Sequence, residues 1–329
     1  MIKRSFIILL LLVIIVANGL WWSAAAPAFP GRAVDFVIQP GQEAKAISRN
    51  LKTVGLIRSD LAFRTYIWWR KADNRLQAGT YSLSTGYSLP RLVDSLLSAE
   101  SARQRTLTFI EGWNLRDYED YLKQERFDVT DFSDLSPASV WADKYVFLQG
   151  LDPAQTLEGY LFPDTYAVEP GESLDSIISR LLNNFERKIE PRQATIEKRG
   201  KTVHQIITLA SIVENEVSTA KDRRLVADIF WKRLDLGQAL QSDATINYLT
   251  DSGRIRSTAD DLAIDSPYNT YKYAGLPPGP ISNPSLESIE AVITPEANDY
   301  YYFLTDKNGI VHYGRDFEEH QKNREQYLE

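Results

Sequence analysis

The stretch from Lys201 to Leu249 reads as two successive helices and a polar segment, and one carboxylate in it falls among apolar side chains. Thr202 followed by Gln205 fits a capping box, so a helix starts there. At about 100° per residue, Leu209, Val213, Ile206, Val217, Ala210 and Ile207 fill one apolar arc. Glu214 lies inside that arc, between Ala210 and Ile207. Glu216 projects about 20° outside its edge on the same construction, and Asn215 points away. A carboxylate on a core-facing stripe is unfavourable to bury charged, and protonation is one relief. A protonated carboxyl at neutral pH is what a general acid requires. Pairing with an arginine, or a place at the helix margin, would explain the same position without chemistry.

Composition narrows the options. The formal charge is 37 − 44 = −7, and no basic stripe appears, which argues against nucleic acid as partner. There is no cysteine, which removes disulfides, thiol catalysis and thiolate metal ligation. His204, His312 and His320 stand at unrelated spacings, so no metal is expected, and nothing calls for an organic cofactor. The 17 tyrosines and seven tryptophans serve packing first and sugar stacking second.

Phe6 to Trp22 is nearly unbroken apolar sequence behind Lys3 and Arg4, at the short end for a membrane span. A cleaved signal peptide would use Ala24 to Ala26 as its site. An uncleaved anchor would put Trp21 and Trp22 at the outer interface. The bulky tryptophans favour the anchor: a cytoplasmic end over residues 1–5, a transmembrane helix over 6–22 and a tether over 23–33. Both readings export the rest of the chain.

Beyond the tether the pattern is α+β. Val34 to Gln39 alternates as a strand, and Pro40-Gly41 turns. Helices follow around Ala44 to Val54 and Leu61 to Trp69, then a strand at Gly79 to Ser84 and a helix from Leu89 to Leu97. Strand, two helices and strand, with the Pro-Gly turn, resemble a small LysM-like α+β module over residues 34–100. A larger mixed α/β catalytic domain then occupies 101–329. Thr106 to Ile110 reads as a strand, Glu111-Gly112 as a turn and Leu115 to Leu122 as a helix. Asp128 to Asp134 reads as a polar surface excursion. Leu157 to Tyr166, rich in aromatics, is a packed loop or a cleft wall offering Glu158 and Asp164. Ser173 to Phe185 is helical, as is Leu225 to Leu234, with Gly237 as its C-cap. Ser266 to Pro284 holds five prolines and can be neither helix nor strand, which suggests a functional loop. A short helix at Ser285 to Ile293, a hairpin of Tyr300 to Leu304 with Ile310 to Tyr313, and a charged C-terminal helix complete the chain.

Several segments together resemble one family. EGYLFPDTY, LASIVENE, LQSDATINY, SPYNTY, GLPPGPISNPS and the closing YYFL, GIVHY and EHQKN are similar, in this order, to the YceG-like family, the endolytic murein transglycosylases. The resemblance runs from the apolar N-terminus to the C-terminus. It implies an inner-membrane protein facing the periplasm that cleaves nascent peptidoglycan glycan strands internally, between N-acetylmuramic acid and N-acetylglucosamine, leaving a 1,6-anhydro end. The first glutamate of the SIVE-type motif, here Glu214, is the family's catalytic residue. Gln241, Asp243, Asn269 and the Leu276-to-Pro284 loop with Pro277 and Asn283 fall on motifs that line the family's cleft, and Glu158, Asp164 and Glu216 are further expected substrate contacts.

The implied chemistry needs one carboxyl, whereas ordinary glycosidases need two. Glu214 would protonate the glycosidic oxygen and then take the proton of the sugar's own 6-hydroxyl. Glu216 is the rival acid. A muramidase using water, with Asp243 or Glu216 as second carboxylate, is an alternative; so is a membrane-anchored glycan-binding scaffold without turnover. Proteins of cell-wall synthesis are the partners such an anchored enzyme would meet, and no segment identifies one.

Overall fold

The computed structural model describes residues 25–27, 31–97, 105–168, 172–251 and 257–328. The expected transmembrane run over 6–22 lies outside them. Among the described residues no helix is long and apolar enough to cross a membrane. The chain is a mixed α+β protein of two compact units. Unit 1 comprises residues 1–107 and 166–172, and unit 2 comprises residues 108–165 and 173–329.

Unit 1 is built as its alternation predicts. Strand β1 (Ala33–Ile38) is followed by helices α1 (Ala44–Thr53) and α2 (Asp60–Trp69), then by β2 (Gly79–Ser84) and α3 (Leu89–Leu97). β1 and β2 pair antiparallel with Phe36 opposite Tyr81 and Val34 opposite Leu83. The period of two sends Phe36 and Ile38 from one strand and Tyr81 and Leu83 from the other into the core. They meet Ile47 and Leu51 of α1, Phe63 and Ile67 of α2 and Leu92, Val93 and Leu96 of α3. β3 (Arg105–Thr108) forms its own two-stranded sheet with β4 (Thr165–Val168).

Between those strands run α4 (Leu115–Gln124) and the short α5 (Phe132–Leu135). The polar run around α5 is not wholly a surface excursion, because Phe132 is buried within it. After β4 come α6 (Leu174–Ile189), α7 (Gln193–Lys198), α8 (Val203–Glu216), α9 (Ala220–Asp235), α10 (Asp243–Thr250), α11 (Ala259–Ala263) and α12 (Leu286–Ile293). A hairpin of β5 (Tyr302–Thr305) and β6 (Val311–Gly314) and the exposed α13 (Phe317–Tyr327) end the chain.

α8 organises unit 2. Its capping box is formed: the Gln205 amide donates to Thr202 Oγ1 at 3.1 Å and the Thr202 amide to Gln205 Oε1 at 3.0 Å. α9 ends in a Schellman arrangement, with Gln238 N donating to Arg233 O and Gly237 N to Leu234 O. The single apolar arc expected for α8 is corrected. Every residue from Ile206 to Val213 is buried, Thr208 and Ser211 included. α7, α9, α10 and α12 all pack on it, so the helix is covered on all sides rather than on one face. Ser211 Oγ is satisfied there, donating back to Thr208 O at 2.8 Å, whereas Thr208 Oγ1 is buried without a hydrogen-bond partner among the described residues.

The Pro-rich segment before α12 has no regular structure and runs through the interior. Ile281 N donates to Ser211 Oγ at 3.0 Å, and residues 279–285 are buried. Gly159 lets the chain approach that segment. Its φ is +86°, and a Cβ there would stand 2.5 Å from the Pro280 ring and 2.9 Å from Ile207. Gly200, at φ +65°, has nothing within 4 Å of the same position. Both glycine-to-alanine changes carry the left-handed backbone penalty of about 1–2 kcal/mol. Gly159→Ala is expected to lower the chemical-denaturation midpoint clearly more than Gly200→Ala; equal losses would show that the contact with Pro280 contributes nothing.

Candidate active site

Glu214 stands in the last turn of α8 with its side chain 6% exposed. It is not an isolated buried acid. Oε1 accepts from Nη2 of Arg223 at 2.8 Å, and the Arg223 side chain is itself 10% exposed. Oε2 accepts from the amide of Ser285 at 2.9 Å and from the Ser285 hydroxyl. Ser285 is the N-cap of α12, its Oγ accepting from Ser288 N at 3.1 Å. The carboxylate thus sits against a guanidinium and the positive end of a helix. The arginine partner left open by the sequence is Arg223, one helix away.

Arg223 is shared, for its Nη1 also bonds Glu287, whose side chain is 56% exposed. Glu111 adds a third carboxyl. Desolvation first, and then the charge of Glu214, raise it above the ordinary carboxylate range, while Arg223 opposes the shift. Its backbone is fixed from the other side of the site: Gly112 N donates to Asn283 O at 2.9 Å, and Asn283 N to Trp113 O at 2.8 Å. Asn215, next to Glu214, donates to Ser282 Oγ at 2.9 Å. None of Arg223, Ser285, Glu287 or Glu111 was singled out as functional by the sequence. The available signal was the Glu-Gly turn directly after a strand, and the serine preceding the α12 pattern as an N-cap.

The other predicted site residues divide by burial. Asn283 is fully buried; its Nδ2 donates to Trp113 O at 3.0 Å and its Oδ1 accepts from Leu161 N at 3.0 Å. Asn269 is fully buried too, donating to Leu262 O and Ile264 O and accepting from Tyr271 N. Both side chains are used inside the fold, where they hold loops rather than face a ligand. Pro277 is buried as well. Asp164 accepts from Asn184 Nδ2 at 3.1 Å and from Thr165 N at 2.8 Å, an exposed loop clasp.

Glu158 is 4% exposed. Oε2 accepts from Leu115 N, the first residue of α4, at 3.2 Å. Burial pushes its carboxyl up to about 8, with the Leu115 amide and the nearby Arg116 pulling the other way. Glu216 and Asp243 form a separate cluster. Glu216 accepts from Ser242 Oγ, and burial raises it to about 6 against that hydrogen bond. Asp243 accepts from Ser257 Oγ at 2.6 Å and Tyr271 OH at 3.1 Å. Gln241, exposed and at φ +52°, links to Thr270 O through its backbone. Two residues apart on a helix, Glu214 and Glu216 leave α8 on opposite sides, so they do not share one site.

A separate cleft of about 850 Å³ is lined by Phe147, Gln155, Glu186, Glu190, His204 and Pro278 among others, and none of the predicted site residues except that loop's Pro278 region borders it. Among the described residues no three His, Asp or Glu side chains gather as a metal-binding group.

A buried carboxylate held by an arginine and a helix N-terminus, with further acids beside it, defines a candidate acid–base centre on an α+β scaffold. The chain belongs to the YceG-like family, whose model matches residues 36–326. It is 34% identical over 310 residues to the endolytic murein transglycosylase of Bacillus subtilis (strain 168), covering 90% of this chain and 85% of that one. It is 33% identical over 316 residues to the endolytic murein transglycosylase of Streptococcus pneumoniae serotype 2 (strain D39), covering 87% of this chain but only 57% of that longer protein. The crystal structure of a yceG-like protein from Listeria monocytogenes superposes with a TM-score of 0.62 at 30% identity, over 88% of this chain and 99% of the other.

The raised carboxyl of Glu158 has a stability consequence. Its folded value of about 8 lies above the free value of 4.5. Between those values unfolding releases a proton, so stability falls as pH rises from about 4.5 to about 8. Glu158→Gln keeps an acceptor for Leu115 N and removes the titration. It is expected to stabilise the protein at pH 8 by an amount on the order of a few kcal/mol, vanishing toward pH 4.5. Denaturant melts at both pH values test this; a gain that does not change with pH would show that burial of the charge is not its source.

Proposed function

We propose that this chain is an endolytic murein transglycosylase that cuts peptidoglycan glycan strands between N-acetylmuramic acid and N-acetylglucosamine, with Glu214 as its catalytic residue. The observation that carries this reading is the pairing of Glu214 with Arg223 and Ser285 at the N-terminus of α12. Family membership and relatives named for this activity support the reaction class.

In this reading Glu214, an ion-paired carboxylate in the resting site, first takes up a proton and then gives it to the glycosidic oxygen as the bond from the anomeric carbon breaks. The carboxylate so formed is received by Arg223 and the Ser285 amide, donors that are already in place and need no reorganisation. It then takes the proton of the muramic acid 6-hydroxyl as that oxygen bonds to the anomeric carbon. One proton leaves Glu214 and one returns, no water is consumed, and the product carries a 1,6-anhydro ring. Because each turn returns the proton to Glu214, Glu111, exposed and raised in proton affinity beside it, serves only as the solvent-facing group that delivers the first one.

Gln241 and Asp243, on the Glu216 side of α8, are retained as contacts to sugars further along the strand, being less deeply buried than the asparagines. Glu158, Asn269 and Asn283 act from behind, shaping the loops. Residues 6–22 anchor the chain in the inner membrane, with both units in the periplasm. The strand–helix–helix–strand order of unit 1 supports the LysM-like reading, in which that unit binds glycan. Proteins of cell-wall synthesis are the expected company of such an enzyme.

Product analysis tests the assignment. The full chain, incubated with uncrosslinked glycan strands, is expected to give fragments lighter by one water than hydrolysis products. Glu214→Gln is expected to abolish them, while Glu216→Gln retains most of the turnover. A Glu214→Gln protein with at least half of normal turnover, or hydrated reducing ends, would overturn the mechanism.

A further inference from the structure

Helix α2 is apolar on two opposite faces, and only one of them is buried. Phe63 and Ile67 lie in the core of unit 1 at 0% and 1% exposure. Leu61, Trp68 and Trp69 are 62%, 72% and 68% exposed. Seven residues apart, Leu61 and Trp68 share a helical face, and Trp69 flanks it. The face lies opposite Phe63 and Ile67. α2 also carries Asp60, Arg64 and Thr65, but two adjacent tryptophans facing water are an unusual surface feature.

The chain outside the described residues says what covers that face. Ala26 O accepts two hydrogen bonds from Arg58, from Nη2 at 2.7 Å and from Nε at 3.1 Å. Arg58 immediately precedes Ser59, the N-cap of α2. The apolar run Phe6 to Trp22 ends four residues before Ala26, a reach of at most about 14 Å for extended chain. α2 itself spans only about 15 Å. Where the apolar run enters a bilayer, α2 is therefore held within a helix length of the bilayer surface. Its exposed end continues into Arg70 and Lys71, both exposed, although Arg70 also pairs with Asp94 at 3.1 Å. Tryptophan flanked by cationic side chains is the chemistry of a lipid headgroup layer.

We propose that the Leu61–Trp68–Trp69 face of α2 docks into the headgroup layer of the membrane that the N-terminal run enters, so that unit 1 lies against the bilayer instead of swinging on a tether. The proposal rests on the reading of residues 6–22 as an anchor. Because the chain has no cysteine, single-cysteine labelling needs no background removal.

The test uses the full chain in vesicles of phosphatidylethanolamine and phosphatidylglycerol, carrying Leu61→Cys, Ile14→Cys or Val146→Cys, each with an environment-sensitive fluorophore. Val146 is an exposed control in unit 2, at 70%. The labels at 61 and 14 are expected to emit to the blue, lose iodide quenching and be quenched by bromines on the acyl chains, while the label at 146 stays aqueous. Adding Trp68→Ser and Trp69→Ser is expected to return the label at 61 to water. An aqueous label at 61 with a lipid-exposed label at 14 overturns the proposal and leaves the anchor standing. Aqueous labels at both positions overturn both. Protection of the label at 61 by glycan strands in detergent, without the lipid-dependent shift, overturns it in favour of a sugar platform.

Discussion

Unit 2 depends on how the carboxylate of Glu214 is kept inside it. A buried ion pair gains little net free energy over an apolar pair, but removing one partner costs about 3–5 kcal/mol, because a charge is left uncompensated. Here Arg223 and Ser285 compensate it together. α8 supplies the acid, α9 the guanidinium and α12 the amide of its N-cap, so the three helices are correct relative to one another only in the register that brings these groups together. α8 could not bury eight consecutive residues if α9 and α12 did not close over it, and the ion pair lies at the edge of that closure. The polar contact sets orientation, and the apolar contact supplies the drive.

Behind this centre the interior polar groups form a scaffold. Asn283 ties the Pro-rich segment to Trp113 and Leu161, and Ser285, two residues on, is thereby held against Glu214. Glu158 caps the start of α4 from within the same region. On the far side of α8, Glu216 and Asp243 are held by Ser242, Ser257 and Tyr271. The acids near α8 therefore occupy different electrostatic settings: one is neutralised by an arginine, one is buried with few donors and one is hydroxyl-bonded. Carboxyls in contrasting environments are how a single scaffold assigns different proton affinities to the same chemical group.

What could be read in the sequence was what local chemistry decides. The Thr202–Gln205 capping box, the Gly237 terminus of α9 and the turn before β6 each involve residues a few positions apart, and each was found. The position of Glu214 in an apolar arc was also legible, since it needs only helical periodicity. Its partners were not. Arg223 is reached only through the crossing of α8 with α9, and Ser285 lies 71 residues away. The burial of Thr208 and Ser211 was not legible either, because periodicity cannot count how many neighbours a helix will have. Asn269 and Asn283 show a further limit: a motif marks a residue as important, but it does not tell an inward side chain from one that faces a ligand.

The two units are not consecutive in the chain. Unit 1 is interrupted after residue 107 and completed by residues 166–172, where β4 returns to pair with β3. A ribosome delivering this protein from its N-terminus cannot finish the first unit until more than half of the chain has been made. By then the opening part of the second unit, residues 108–165, has already emerged. Assembly is therefore interleaved rather than sequential, and a polypeptide stopped near residue 120 would leave β3 without its partner strand. The two units can diverge in sequence, but they cannot readily be separated, exchanged or shuffled as independent cassettes.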